Sequence, residues 1–116
     1  MNIKITSIIS LTLGILLVAS CSVPLLVPTE NDASRAQIKW NDENLAALQH
    51  GHQLYINKCG KCHYLYRPNK LSDEQWQNKL DKMSLKAKLT IEEKELILRY
   101  LITMRDSYVQ QEQAKK

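Results

Sequence analysis

The chain has 116 residues, 44% of them hydrophobic and 24% charged, which suits an ordinary globular protein with room for one domain at most. Its formal charge of +4 is too weak to argue for nucleic-acid binding. Residues 1–20 hold only Lys4 among the charged side chains, so the remainder carries 15 basic against 12 acidic groups and stays mildly basic.

The first element is a charged start at Lys4, an apolar run from Ile5 to Val18 and a small-residue end at Ala19-Ser20, the layout of a secretory signal over residues 1–20. A membrane-spanning anchor is the alternative. Thr6, Ser7, Ser10, Thr12 and Gly14 interrupt the run, however, and it ends in a cleavage-type sequence. Val18-Ala19-Ser20-Cys21 resembles a bacterial lipobox, which implies that Cys21 becomes the lipid-modified first residue of a periplasmic, membrane-anchored protein. Under the same resemblance Ser22 favours the outer membrane over the inner. An unmodified Cys21 would leave an odd thiol in an oxidising compartment.

From Cys21 to Lys39 the chain has Pro24, Pro28 and the polar run Thr29–Ser34, which reads as a lipidated N-terminus followed by a flexible tether. The folded domain is expected over residues 40–110, with a polar tail over 111–116. Its first helix is predicted from Asn41 to Lys58, capped by Asn41 or Asp42, with Leu45, Leu48, His52 and Tyr55 on one face. Gly51 in mid-helix costs about 1 kcal/mol relative to alanine, so a close crossing by another helix is expected there. Ser72-Asp73-Glu74-Gln75 reads as a capping box opening a second helix, on which Trp76, Leu80 and Met83 share a face. Thr90 and Glu93 form a second box, opening a third helix with an apolar stripe of Ile97, Tyr100, Leu101, Met104 and Tyr108. No strand-like alternation appears, so the fold class is all-α with about three helices. A unit this small needs a disulfide, a metal or a large bound group at its centre.

Cys59-Gly60-Lys61-Cys62-His63 has the C-x-x-C-H form of covalent haem attachment. Two thiols stand at the spacing that meets the two vinyl groups, and the adjacent histidine can reach the iron. A thioredoxin-like dithiol would need a βαβ context, and zinc would need a second ligand pair. A plain disulfide leaves His63 without a role. The motif therefore reads as one haem c held by Cys59 and Cys62, with His63 as proximal iron ligand. Export agrees with this, since bacterial cytochromes of this type receive haem after translocation.

Gly51-x-x-Leu54-Tyr55-x-x-x-Cys59 leads into the motif, and Met83 is followed by Leu89, Glu93, Ile97, Tyr100 and Leu101. Over roughly Leu45 to Met104 this resembles the class I, mitochondrial-type c cytochromes. The resemblance implies a small three-helix fold around one haem, with Met83 as distal iron ligand and Gly51 and Tyr55 meeting Tyr100 and Leu101 where the terminal helices cross. It implies that the Pro68 carbonyl accepts the ring N–H of His63, the alternative being that Pro68 only turns the chain into Ser72. Trp76 is then either a donor to a haem propionate or, preferably, core. The stretch from His63 to Met83 is shorter than in most members. Met104, His50 and His52 are the competing sixth ligands, and each reads as packing or surface.

A His/Met pair saturates the iron and leaves no substrate position, so the expected function is a single-electron carrier and not an enzyme. A haem subunit of a larger periplasmic oxidoreductase and a gas-binding haem protein with a labile sixth ligand are the alternatives. Lys58, Lys61, Lys70, Lys79, Lys82, Lys86 and Lys88 cluster around the motif and Met83. They read either as a docking rim for an acidic redox partner or as ordinary solvated helix faces.

Overall fold

The computed structural model describes residues 25–60 and 64–116, and every described element is helical. Four α-helices follow in order: α1 Glu30–Lys39, α2 Leu45–Leu54, α3 Asp73–Lys86 and α4 Ile91–Ala114. A π-helical turn, Tyr55–Cys59, prolongs α2, and a single 3₁₀ turn, Pro68–Lys70, precedes α3. The all-α expectation holds. No helix among the described residues is long and apolar enough to cross a membrane.

Both capping boxes form as expected. The Ser72 hydroxyl accepts from the Gln75 N–H while the Gln75 side chain takes back the Ser72 N–H, and Thr90 and Glu93 do the same for α4. The start of α2 differs. Asn44, not Asn41 or Asp42, caps it by accepting from the Ala47 N–H at 2.9 Å. Asp42 and Glu43 are instead drawn to Arg99 of α4, at 3.1 and 3.3 Å, and the Glu43 side chain is almost fully buried in that pair. The third helix also runs beyond the expected tail, through Ala114, where Glu112 accepts from the Asn69 side chain at 2.9 Å.

Glu30–Lys39, read from sequence as part of a flexible tether, is a helix. Ala33 and Ala36 are its buried face and pack with Leu48 of α2. The buried Asp32 carboxylate takes the Thr29 N–H and hydroxyl at its own helix start, and it pairs with Arg35 and with the Ser107 hydroxyl of α4. Burial alone would raise the Asp32 pKa. The hydrogen bonds from Ser107, Thr29 and Arg35 outweigh that and hold it below the usual carboxylate value of 3.8. Leu25 and Leu26, just ahead of α1, pack against the main core.

That core is built where α2 crosses α4. A Cβ on Gly51 would fall on the Leu96 carbonyl and lie 2.9 Å from the Tyr100 Cβ, so only glycine lets the two helices approach this closely. The expected meeting of Gly51 with Tyr100 is therefore present. Around it Leu54, Tyr55, Trp76, Leu80, Ile97, Leu98, Tyr100, Leu101 and Met104 form one buried cluster.

Candidate functional site

A cavity of about 400 Å³ opens beside Cys59, within the size range of small-molecule and cofactor pockets. Three segments wall it. The π-turn brings Tyr55 and Cys59, the segment after the C-x-x-C-H motif brings Tyr64, Leu65 and Tyr66, and α3 brings Trp76, Lys79, Leu80 and Met83. The α3 residues fall three and four apart, which puts them on one helix face. One apolar stripe of that helix thus serves both core and cavity.

The walls are tied to each other by polar groups. The Tyr55 hydroxyl donates to the Tyr66 carbonyl at 2.8 Å, and burial pushes its pKa upward, so it remains a neutral donor. The Trp76 indole N–H donates to the Pro68 carbonyl at 2.7 Å, and its ring meets that of Tyr55 edge-on at 6.1 Å. Lys79 lays its ammonium over the Tyr66 ring at 4.8 Å. These contacts hold the 64–70 segment against α3 and keep the space between them shaped.

Cys59 ends the π-turn, a wider helical turn that occurs often at functional sites, and its side chain is half buried. Burial pushes its thiol above the usual range. That is the opposite of the lowered thiol pKa of a dithiol redox centre. Gly60 follows because a Cβ there would fall on the Ile56 carbonyl, whose oxygen accepts the Gly60 N–H at 3.1 Å. The sequence reading had not singled out Gly60.

Of the residues expected at the site, the structure brings Cys59 and Met83 to one cavity. Cys62, His63, Lys61 and the lipidation candidate Cys21 lie outside the described residues. The competing ligands stand elsewhere: His50 is exposed on α2, Met104 is packed in the core, and neither lines the cavity. His52 is buried edge-on against Tyr100, 5.2 Å between ring centroids. The Pro68 carbonyl accepts the Trp76 indole N–H, while His63, the donor expected for it, lies outside the described residues. With that bond and 1% exposure, Trp76 is a core residue as preferred from sequence. Among the lysines, Lys58 lies 3.9 Å from Glu93 and Lys79 is committed to Tyr66, while Lys70, Lys82, Lys86 and Lys88 are exposed. Sequence reasoning missed the tyrosine wall, whose only trace was Tyr64-x-Tyr66 directly after the motif.

The donor set fits a haem c. A mostly apolar, aromatic-walled space lies against the first cysteine of a C-x-x-C-H motif and takes in a thioether side chain. Searches of curated proteins and of solved structures return no match. A family model described as dihaem cytochrome c matches residues 55–116, more than half of the chain and all of the C-x-x-C-H segment. The family's name counts two haems where the sequence reading expected one. These 116 residues contain a single C-x-x-C-H. With its described elements all helical, Cys59 of that motif beside an aromatic-walled cavity and residues 55–116 matched, the chain belongs to the dihaem cytochrome c family and is a c-type cytochrome.

Proposed function

We propose that this chain is a membrane-anchored, periplasmic electron carrier holding one haem c, with Cys59 and Cys62 as the thioether residues and His63 and Met83 as the iron ligands. The observation that carries the reading is that Cys59 and Met83 line one cavity, while Met104, the nearest chemical rival, is buried in the core away from it. What supports a count of one is the cysteine spacing: of the three cysteines in these 116 residues, only Cys59 and Cys62 have the attachment spacing.

Haem bound there supplies a one-electron iron couple. The chain's own residues do the rest. Tyr55, Trp76 and Leu80 exclude water from one side of the cavity, and the low local dielectric raises the energetic weight of every charge placed near the iron. Met83, as a neutral sulfur ligand, would favour the reduced state and lift the potential toward the range of respiratory carriers. His63 and Met83 would both be committed to holding the iron, which supports a carrier over an enzyme. Acylated Cys21 would hold the domain at the membrane, and the exposed Lys70, Lys82, Lys86 and Lys88 favour a redox partner with an acidic face.

The test is a pair of conservative variants in the haem-loaded protein. Met83→Leu is expected to abolish the near-infrared sulfur-to-iron band and lower the midpoint potential. Met104→Leu, a volume-conserving change in the core, keeps both. Loss of the band in Met104→Leu with its retention in Met83→Leu overturns the ligand assignment.

A further inference from the structure

The polypeptide is folded almost from the lipidation candidate onward. The Leu26 N–H donates to the Tyr108 hydroxyl of α4 at 2.8 Å, Leu25 and Leu26 pack on the core, and the buried Pro28 offers its carbonyl to the Gln49 side chain at 3.4 Å. Thr29 and Asp32 then start α1. Only Ser22, Val23 and Pro24 separate Cys21 from this docked segment. Four residue steps reach at most about 14 Å. That is far shorter than the flexible tether expected from the sequence.

Helix α4 serves as a ruler for where this attachment lies relative to the haem-binding segments. The chain enters against Tyr108. Toward the other end of α4 lie the segments that carry Cys59 and Met83: Lys58, next to Cys59, reaches Glu93, and Asp81, two residues before Met83, pairs with Lys94 at 2.7 Å. The third cavity wall, residues 64–66, leads instead into Pro68–Lys70 at the attachment end, where Asn69 donates to Glu112 at 2.9 Å. From Lys94 to Tyr108 is about 21 Å along the helix at 1.5 Å per residue. The attachment end also exposes two valines, Val27 at 58% and Val109 at 37%. Single exposed valines are unremarkable, but these flank the point from which a short lipidated chain must leave.

Resting on the reading of Cys21 as acylated, we infer that the end of the domain around Leu25–Val27 and Val109 faces the lipid surface, and that the short link fixes this orientation. The segments carrying Cys59 and Met83 then stand about 20 Å further from the bilayer, turned toward partners in the periplasmic space. The orientation comes from the docking of residues 25–29 onto α4, not from any property of the haem.

The experiment uses the acylated, haem-loaded protein in phosphatidylethanolamine–phosphatidylglycerol vesicles containing a lipid-borne quencher. Single fluorophores are attached through Val27→Cys or Ile91→Cys. Both sites are exposed, and Ile91 opens the remote end of α4. The inference expects several-fold stronger quenching at position 27 than at 91, with the contrast lost when a Gly/Ser segment of about 20 residues is inserted between Val23 and Pro24. Equal quenching at the two positions in acylated protein overturns the fixed orientation while leaving the anchor intact. A contrast that survives the insertion overturns the short link as its cause. Intact mass showing an unmodified Cys21 overturns the anchor reading itself, and the orientation with it.

Discussion

Gly51→Ala is the sharpest probe of the helix crossing on which the site is built. The added Cβ would meet the Leu96 carbonyl carbon and the Tyr100 Cβ at 2.9 Å each, where ordinary van der Waals contact begins at 3.4 Å, and would be closer still to the Leu96 carbonyl oxygen. The obstacle is α4 backbone, which cannot swing aside as a long side chain can, so α2 and α4 must part by at least about half an ångström. Ile97 and Tyr100, both at 0% exposure, lie at this crossing, and a gap of that size forfeits a substantial part of their dispersion contact. Overpacking costs about 3 kcal/mol at the upper end of its usual range, and alanine returns about 1 kcal/mol of helix propensity. The net loss is about 2 kcal/mol, a fall in Tm of roughly 10 °C for a domain of this size. Urea denaturation followed by helical circular dichroism measures it, with Gln53→Ala on the exposed face of α2 as a control expected within about 0.5 kcal/mol of the parent. A Gly51→Ala protein as stable as the parent refutes the close crossing.

Two further perturbations test the parts the sequence did not announce. Asp32 is held below its ordinary pKa of 3.8, so the stability it gives to the docking of α1 is present above that value and is lost as pH falls through the lower, folded-state value. Protection of the 30–39 amides, relative to their intrinsic exchange rates, should fall selectively on acidification, and Asp32→Asn should lower it already at neutral pH. Exchange in α1 that follows the global rate in both cases contradicts the role given to Asp32. Lys88 is exposed and adopts φ 54° where α3 ends, with the Leu89 N–H closing on the Ser84 carbonyl at 2.9 Å. Lys88→Gly should stabilise the protein by about 0.5–1 kcal/mol in the same urea assay, and a destabilised variant would show that the strain is not there.

What the sequence disclosed depended on whether the responsible interaction was local. The starts of α3 and α4 were legible because Ser72 with Gln75, and Thr90 with Glu93, satisfy each other within one turn. Gly51 was legible because a glycine in mid-helix demands a reason. Helix α1 was not, since its buried face consists of the small Ala33 and Ala36 and its fastening runs from Asp32 to Ser107, 75 positions away in the chain. The start of α2 was misplaced for the same kind of reason: Asn41 and Asp42 look like cap residues, but Arg99 claims Asp42 together with Glu43, and Asn44 caps the helix. The thioether wall of the cavity followed from helical spacing. The tyrosine wall needed the Tyr55–Tyr66 hydrogen bond, which no pattern encodes.

The central claim is that this chain holds one haem c through Cys59 and Cys62. Intact mass of the denatured protein, purified from a host that matures c-type cytochromes, tests it directly. The account predicts a polypeptide whose mass includes a single haem that resists acid-acetone extraction, and a mass without that haem once both Cys59 and Cys62 are replaced by alanine. A protein that loses its haem on denaturation, or one carrying two haems, contradicts it.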